Sequence, residues 1–242
     1  MPEGSHSVSD AIVSSDTALR EAVLEANLAT VREGLVLSTF GNASAVDRAS
    51  GRILIKPSGV PYEQLTPDDI VACDLSGRPL GNRLRPSSDI DTHAELYAAF
   101  PEIGAVVHTH STYATIMAQA ECQVPVLGTT HADYFHGAIP VTRRLTDDEI
   151  RTDYVANTGR VIVEAFEGMD PMSIPAVLVA GHGPFVWGRD PSDAVHNAVI
   201  LEQVARMAWH ALTLSPGVEP ISQALLDRHY RRKHGDTATY GQ

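Results

Sequence analysis

The sequence predicts an α/β fold, with helices on both faces of a central mixed, largely antiparallel sheet. Three observations lead there. Stretches with apolar residues three and four apart alternate with short apolar, β-branched stretches. Several neighbouring strand candidates are joined by turns too short to hold a crossover helix, which forces antiparallel pairing. Neither G-x-G-x-x-G nor G-x-x-x-x-G-K-[ST] occurs, so a nucleotide-binding parallel sheet has no support. The 242 residues contain no repeat and no linker, and read as one domain over 1–242 with residues 1–15 flexible.

The elements follow in order. Asp16 is an N-cap candidate, Leu19, Ala22, Val23, Ala26 and Ala29 stripe one helix face, and Gly34 stops it. Strands are expected at 36–40, 44–47 and 52–56, with a hairpin turn at 48–51, and another at 71–74 before the turn at Ser76 and Gly77. Residues 92–100 have helical composition and end at Pro101; 105–110 reads as a strand and 112–120 as a helix. Short strands at 124–127 and 139–142 flank a polar loop, and 147–167 holds one or two helices. A strand pair is expected at 175–180 and 185–187. Asp190 caps a helix with Pro191 at N1 and Val195, Ala198, Val199, Val204 and Ala208 on one face. A last helix covers 222–234.

Composition narrows the function. A formal net charge of −12 disfavours nucleic acid and anionic membranes as partners. No apolar run is long enough to span a bilayer, and the first ten residues lack the basic start and apolar stretch of a secretory signal. Cys73 and Cys122 form neither a C-x-x-C pair nor a disulfide framework, so a reducing, cytoplasmic setting is expected.

Three groups of residues carry chemistry. In His108-Thr109-His110, side chains two apart on a strand share a face, so both imidazoles can converge on one ion. His182 lies between Gly181 and Gly183, which permit close backbone approach, and Asp89 is the carboxylate candidate. Three imidazoles and a carboxylate suit Zn²⁺, other divalent ions being alternatives. An H-x-H on a strand is also compatible with two half-buried rings. The remaining His93, His131, His136, His196, His210 and His234 are assigned structural or solvated places. The turns around Gly41 and Asn42, Ser58 and Gly59, and Ser87 and Ser88 offer hydroxyls and backbone N–H groups, the makings of an anion nest, though each is also ordinary turn chemistry. Asp133, in a polar island with Thr129, is a proton-carrier candidate or a turn carboxylate. Tyr240 can act only if the tail docks over a site, and His229 belongs to a basic helix end that also suits the helix dipole.

In order, GNASA (41–45), IKPSGV (55–60), PSSD (86–89), HTH (108–110), GTTHADYF (128–135), GHGPFVWG (181–188) and the final YGQ resemble the class II aldolase/adducin-head family. Within it they are most similar to its L-ribulose-5-phosphate 4-epimerases. The resemblance runs from about Leu24 to Gln242 and leaves out residues 1 to about 20. It implies a three-layer α/β/α sandwich, usually a fourfold tetramer with active sites between neighbouring subunits. It implies zinc on His108, His110 and His182 with Asp89 at or beside it, and phosphate contacts from Asn42, Ser58, Gly59, Ser87 and Ser88. It also implies Asp133 and Tyr240 as proton carriers, His229 near the second, and Thr129 lining the site. The implied reaction interconverts L-ribulose 5-phosphate and D-xylulose 5-phosphate, a small phosphorylated ketose substrate, by cleaving and remaking C3–C4. Asp89 stands where the aldolases of the family typically carry Glu, which disfavours an aldolase for another sugar phosphate. The three histidines disfavour a non-catalytic adducin-like module, and the hydroxyl-rich turns an unrelated zinc hydrolase.

Overall fold

A computed structural model describes residues 6–81, 83–235 and 238, with side chains described from residue 16 onward. Helix α1 (His6–Arg32) begins well before Asp16, inside the segment 1–15. Asp16 does not cap it; its carboxylate pairs with Arg20 at 2.7 Å and Arg52 at 3.1 Å. The helix does end as the glycine suggests. Gly34 adopts φ +69°, and Leu35 N–H and Gly34 N–H return to the carbonyls of Thr30 and Val31, a pairing that satisfies the last free carbonyls.

The expected strand at 36–40 does not form. Val36 is buried, but Leu37 and Phe40 are 78% and 61% exposed and Ser38 sits at φ +56°. The Phe40 N–H bonds to the Leu37 carbonyl, closing a turn where a ladder was expected. The sheet starts at β1 (Asn42–Asp47) and continues with β2 (Arg52–Ile55), β3 (Val71–Asp74), β4 (Ala105–His108), β5 (Ala176–Leu178) and β6 (Pro184–Gly188). Its spatial order is β3-β2-β1-β4-β6-β5, and all five ladders are antiparallel. The segments 124–127 and 139–142 form isolated bridges instead of strands, Val124–Ile139 antiparallel and Val141–Leu178 parallel.

The helices are α2 (Ile90–Ala99), α3 (Thr112–Gln119), α4 (Thr129–Ala132), α5 (Asp147–Ala165), α6 (Pro191–Leu214) and α7 (Gln223–His234). Helices α1, α3 and α6 pack together on one face of the sheet. On the other lie α2 and α5, where Phe100 and Phe166 pack on Trp187, with ring centroids 5.4 and 5.0 Å away. Covered on both faces, the central strands are largely apolar: Ile53, Leu54, Ile55, Val106, Phe185 and Trp187 are at most 1% exposed. Helix α5 approaches α2 closely because Gly159 lacks a side chain; a Cβ there would lie 2.5 Å from Glu95 Cβ. Cys73 is buried and Cys122 exposed, both as free thiols. Among the described residues no helix is long and apolar enough to cross a membrane.

The antiparallel register positions the site. Asn42 pairs with His108 and His108 with Phe185, while β2 ends at Ile55 opposite Ser44. The start of β1, the end of β2, the end of β4 and the start of β6 therefore meet at one end of the sheet. Of the residues just beyond those ends, Gly41, His110 and His182 are marked for chemistry by the sequence, and Lys56 joins them there.

Candidate active site

His108, His110 and His182 converge: one ligand atom from each lies within 4.8 Å of the others. His108 and His110 oppose their Nε2 atoms at 3.2 Å. His110 lies just past the end of β4 and is exposed, whereas His108 is buried. His108 donates its Nδ1–H to the Pro184 carbonyl at 2.9 Å, leaving the Nε2 lone pair facing the cluster. Burial pushes the His108 imidazole down to about 3, so it stays neutral at ordinary pH. Phe185 stacks on the same ring, 4.1 Å between centroids. The glycines around His182 act as the sequence suggests: a Cβ on Gly183 would lie 2.9 Å from the Thr109 carbonyl, and Gly181 takes φ +70°. The donor set suits a divalent ion: three imidazoles, one of them with a fixed tautomer, and a carboxylate beside them.

That carboxylate is Asp89, the residue preceding α2. It makes no side-chain cap bond to the helix and instead accepts from Asn42 Nδ2 at 2.7 Å. Burial opposes its ionisation, but His108, His93 and the Asn42 hydrogen bond outweigh burial and hold its carboxyl below the usual range. Behind it lies a buried polar chain in which Ser44 Oγ is 2.7 Å from both His93 Nδ1 and Tyr97 Oη. His93 is fully buried, and burial pushes it down to about 4.

A cleft of about 350 Å³ opens over these groups, lined by residues that include Ser58, Gly59, Ser87, Ser88, Asp89 and the three histidines. Its two hydroxyl-bearing turns are knitted together. Ser58 N–H bonds to the Arg85 carbonyl and Ser87 N–H to the Lys56 carbonyl, each at 2.9 Å. Gly41, at φ +83°, also lines the cleft, and a Cβ there would lie 2.8 Å from the His108 carbonyl. Lys56 lines the cleft but was not among the expected site residues. It is 2% exposed, its ammonium lies 3.3 and 3.2 Å from the carbonyls of Pro57 and Val60, and burial lowers its pKa. The available signal was its place inside IKPSGV, beside the turn assigned to the anion.

Thr129, Asp133 and His229 do not line this cleft. They belong to a second cluster where α4 meets α7. Asp133 accepts from His229 Nδ1 at 2.9 Å and from Arg232 Nη2 at 3.1 Å, and its backbone carbonyl accepts from His234 Nε2 at 2.9 Å. Thr129, which opens α4, accepts the Asp133 backbone N–H at 2.9 Å. Helix α7 is anchored by His136, which bonds Asp227 at 2.8 Å and stacks on Tyr230. The basic end of α7 is thus also the partner of Asp133. Tyr240 lies outside the described residues.

The profile of the class II aldolase and adducin N-terminal domain matches residues 21–209. The chain belongs to that family. L-ribulose-5-phosphate 4-epimerase UlaF of Salmonella paratyphi A is 52% identical over 224 residues, covering 93% of this chain and 98% of that protein. The enzyme of the same name from Salmonella typhi matches equally well. Among solved structures, an L-fuculose 1-phosphate aldolase superposes with a TM-score of 0.76 at 23% identity, covering 89% of this chain and 95% of that one. The L-fuculose 1-phosphate aldolase of Glaciozyma antarctica PI12 gives 0.75 at 18%, covering 98% and 88%. At such identities these structures establish the class II aldolase fold alone.

Proposed function

We propose that the chain is a metal-dependent epimerase that interconverts L-ribulose 5-phosphate and D-xylulose 5-phosphate in the cytoplasm, with zinc as its ion. The observation that carries this reading is the shared cleft: three converging histidines open onto the same space as the turns at Ser58–Gly59 and Ser87–Ser88. The names of the relatives at 52% identity support the substrate pair. The C4 proton of a 2-ketose is not next to the carbonyl, so enolisation cannot invert C4, whereas breaking C3–C4 can. Zinc held by His108, His110 and His182, with Asp89 at or beside it, would supply Lewis acidity to the C2 carbonyl and C3 hydroxyl oxygens.

The protein's own groups do the rest. Lys56, Ser58, Ser87 and Ser88 hold the phosphate, with the Gly59 backbone and Asn42 beside them. A base removes the C4 hydroxyl proton, the C3–C4 bond breaks, and its electron pair passes to the three-carbon enediolate. The phosphate anchor keeps glycolaldehyde phosphate in place while its carbonyl presents the other face. Re-addition forms the bond again, and an acid returns a proton to the C4 oxygen. Opposite faces need two proton carriers, assigned to Asp133 and Tyr240, with His229 near Tyr240 and Thr129 lining the site. Because Thr129, Asp133 and His229 lie outside the cleft of their own chain, they would reach substrate in a neighbouring copy of a homotetramer.

The test is conversion of L-ribulose 5-phosphate by chelator-stripped protein, with and without restored zinc, and identification of the product. D-xylulose 5-phosphate formed only with the ion supports the reading. A folded, metal-loaded protein with no conversion ends it and points to aldol cleavage of another ketose phosphate.

A further inference from the structure

Two of the three clustered histidines have Nδ1 engaged by a residue outside the cluster. For His108 that partner is the Pro184 carbonyl. For His182 it is Tyr154, whose hydroxyl lies 3.3 Å from His182 Nδ1. Tyr154 comes from helix α5, outside every sequence motif that marks the cleft.

Its position is built by a break in that helix. Asp153, at φ −156° and ψ 71°, interrupts the helical path one residue before Tyr154. Side chains take up carbonyls around the break. Thr92 Oγ1 donates to the Val155 carbonyl at 2.6 Å, Thr158 Oγ1 to Tyr154 at 2.8 Å, and Asn157 Nδ2 to Glu149 at 2.9 Å. Thr92 is 1% exposed and belongs to α2, the helix that begins directly after Asp89. One turn further on, Gly159 lets α5 close on Glu95 of α2. The segment carrying Tyr154 is thus locked to the helix that carries the candidate carboxylate.

We infer that Tyr154 is a positioning residue for the metal centre: its hydroxyl accepts the Nδ1–H of His182 and fixes the tautomer that presents Nε2 to the ion. This rests on the metal reading proposed above. Groups that orient a ligating imidazole typically govern metal affinity about 10- to 100-fold. The 3.3 Å separation and the 42% exposure of Tyr154 place the effect at the lower end, about tenfold. Because that side chain is not in the core, losing its hydroxyl leaves the fold intact.

The experiment titrates full-length, metal-stripped protein with zinc alone against a chromophoric chelator, for wild type, Tyr154→Phe and His182→Asn. Cobalt-loaded samples are compared by visible absorption, and urea midpoints of the metal-free proteins are recorded. Tyr154→Phe is expected to weaken zinc about tenfold and to shift the cobalt bands, with the metal-free midpoint unchanged. Unaltered zinc affinity and cobalt bands in Tyr154→Phe, with binding lost in His182→Asn, would overturn the role of Tyr154 and leave the metal site standing. Wild-type protein that binds no zinc, or His182→Asn that binds it as wild type does, overturns the metal reading itself. Nitrogen-15 spectra of zinc-loaded wild type give a second test independent of variant folding: a protonated His182 Nδ1 is expected, and a bare Nδ1 refutes the assignment.

Discussion

Replacing Ser44 with alanine tests the polar chain behind the candidate carboxylate. The hydroxyl is 1% exposed and lies 2.7 Å from both His93 Nδ1 and Tyr97 Oη, themselves 0% and 2% exposed. His93 Nε2 has no hydrogen-bond partner among the described residues, so the substitution strands the whole imidazole. A buried group left unsatisfied costs about 1–3 kcal/mol, and Tyr97 loses an ordinary hydrogen bond of about 1 kcal/mol. The expected loss is about 2–4 kcal/mol. With a urea slope of roughly 3 kcal/mol per molar, the unfolding midpoint should fall by about 1 M. Equilibrium urea unfolding of metal-stripped wild type and Ser44→Ala at pH 7.5 measures this without a contribution from the ion. In Tyr97→Phe the same substitution should cost less, because the two residues share one network. A change below about 0.5 kcal/mol, within the range of ordinary surface substitutions, would refute the reasoning that these buried hydrogen bonds stabilise the fold.

Four other outcomes are expected. Gly41→Ala puts a Cβ 2.7 Å from Val36 Cγ1 and 2.8 Å from the His108 carbonyl at φ +83°; it should cost about 2–4 kcal/mol and weaken zinc binding, measured by urea unfolding and metal titration. Burial pushes His93 and His131 each down to about 4, so the unfolded chain takes up protons below pH 6.5 that the folded chain refuses until about pH 4. Their stability is whole above pH 6.5 and is lost on acidification, about 2 kcal/mol per group by pH 5; metal-free protein whose urea midpoint is no lower at pH 5 than at pH 7 contradicts this. Lys56→Gln should raise KM for the phosphorylated substrate roughly 10- to 100-fold with a smaller change in kcat, as loss of a charged hydrogen-bond donor predicts. Asp133→Asn should lower kcat at least about 100-fold with zinc content unchanged, read from steady-state kinetics and metal analysis; unaltered turnover would make the Asp133–His229 pair a fold contact only.

Much of this was legible because the signals are local. H-x-H spacing and a glycine-bracketed histidine are chemical statements about a few adjacent residues, and antiparallel register then joins them. The capped start of α6 could be read at Asp190, whose side chain accepts from the Asp193 N–H. Less local features were hidden. The apolar run at 36–40 looks like a strand, yet only Val36 finds a buried site and the rest turns outward. Helix α1 extends through residues 6–15, ahead of Asp16, the capping residue the sequence offers as its start. Asp133 meets His229 across 96 residues of chain, a partnership no spacing reveals. Tyr154 reaches His182 across 28 residues, through a helix break whose supporting hydroxyl comes from Thr92. Lys56 was visible as a residue but not as a buried cation, since burial is a property of the assembled sheet.

The order in which these parts leave the ribosome has a consequence of its own. The Pro184 carbonyl that fixes His108 is made 76 residues after it, which at about 5–20 residues per second is a delay of roughly 4–15 seconds. Throughout that interval a nascent chain carries the H-x-H pair with neither its third imidazole nor its tautomer lock. Closing the sheet with β6 brings the Pro184 carbonyl and His182 to the H-x-H pair together, so the three-histidine cluster comes into being only when the last strand is in place.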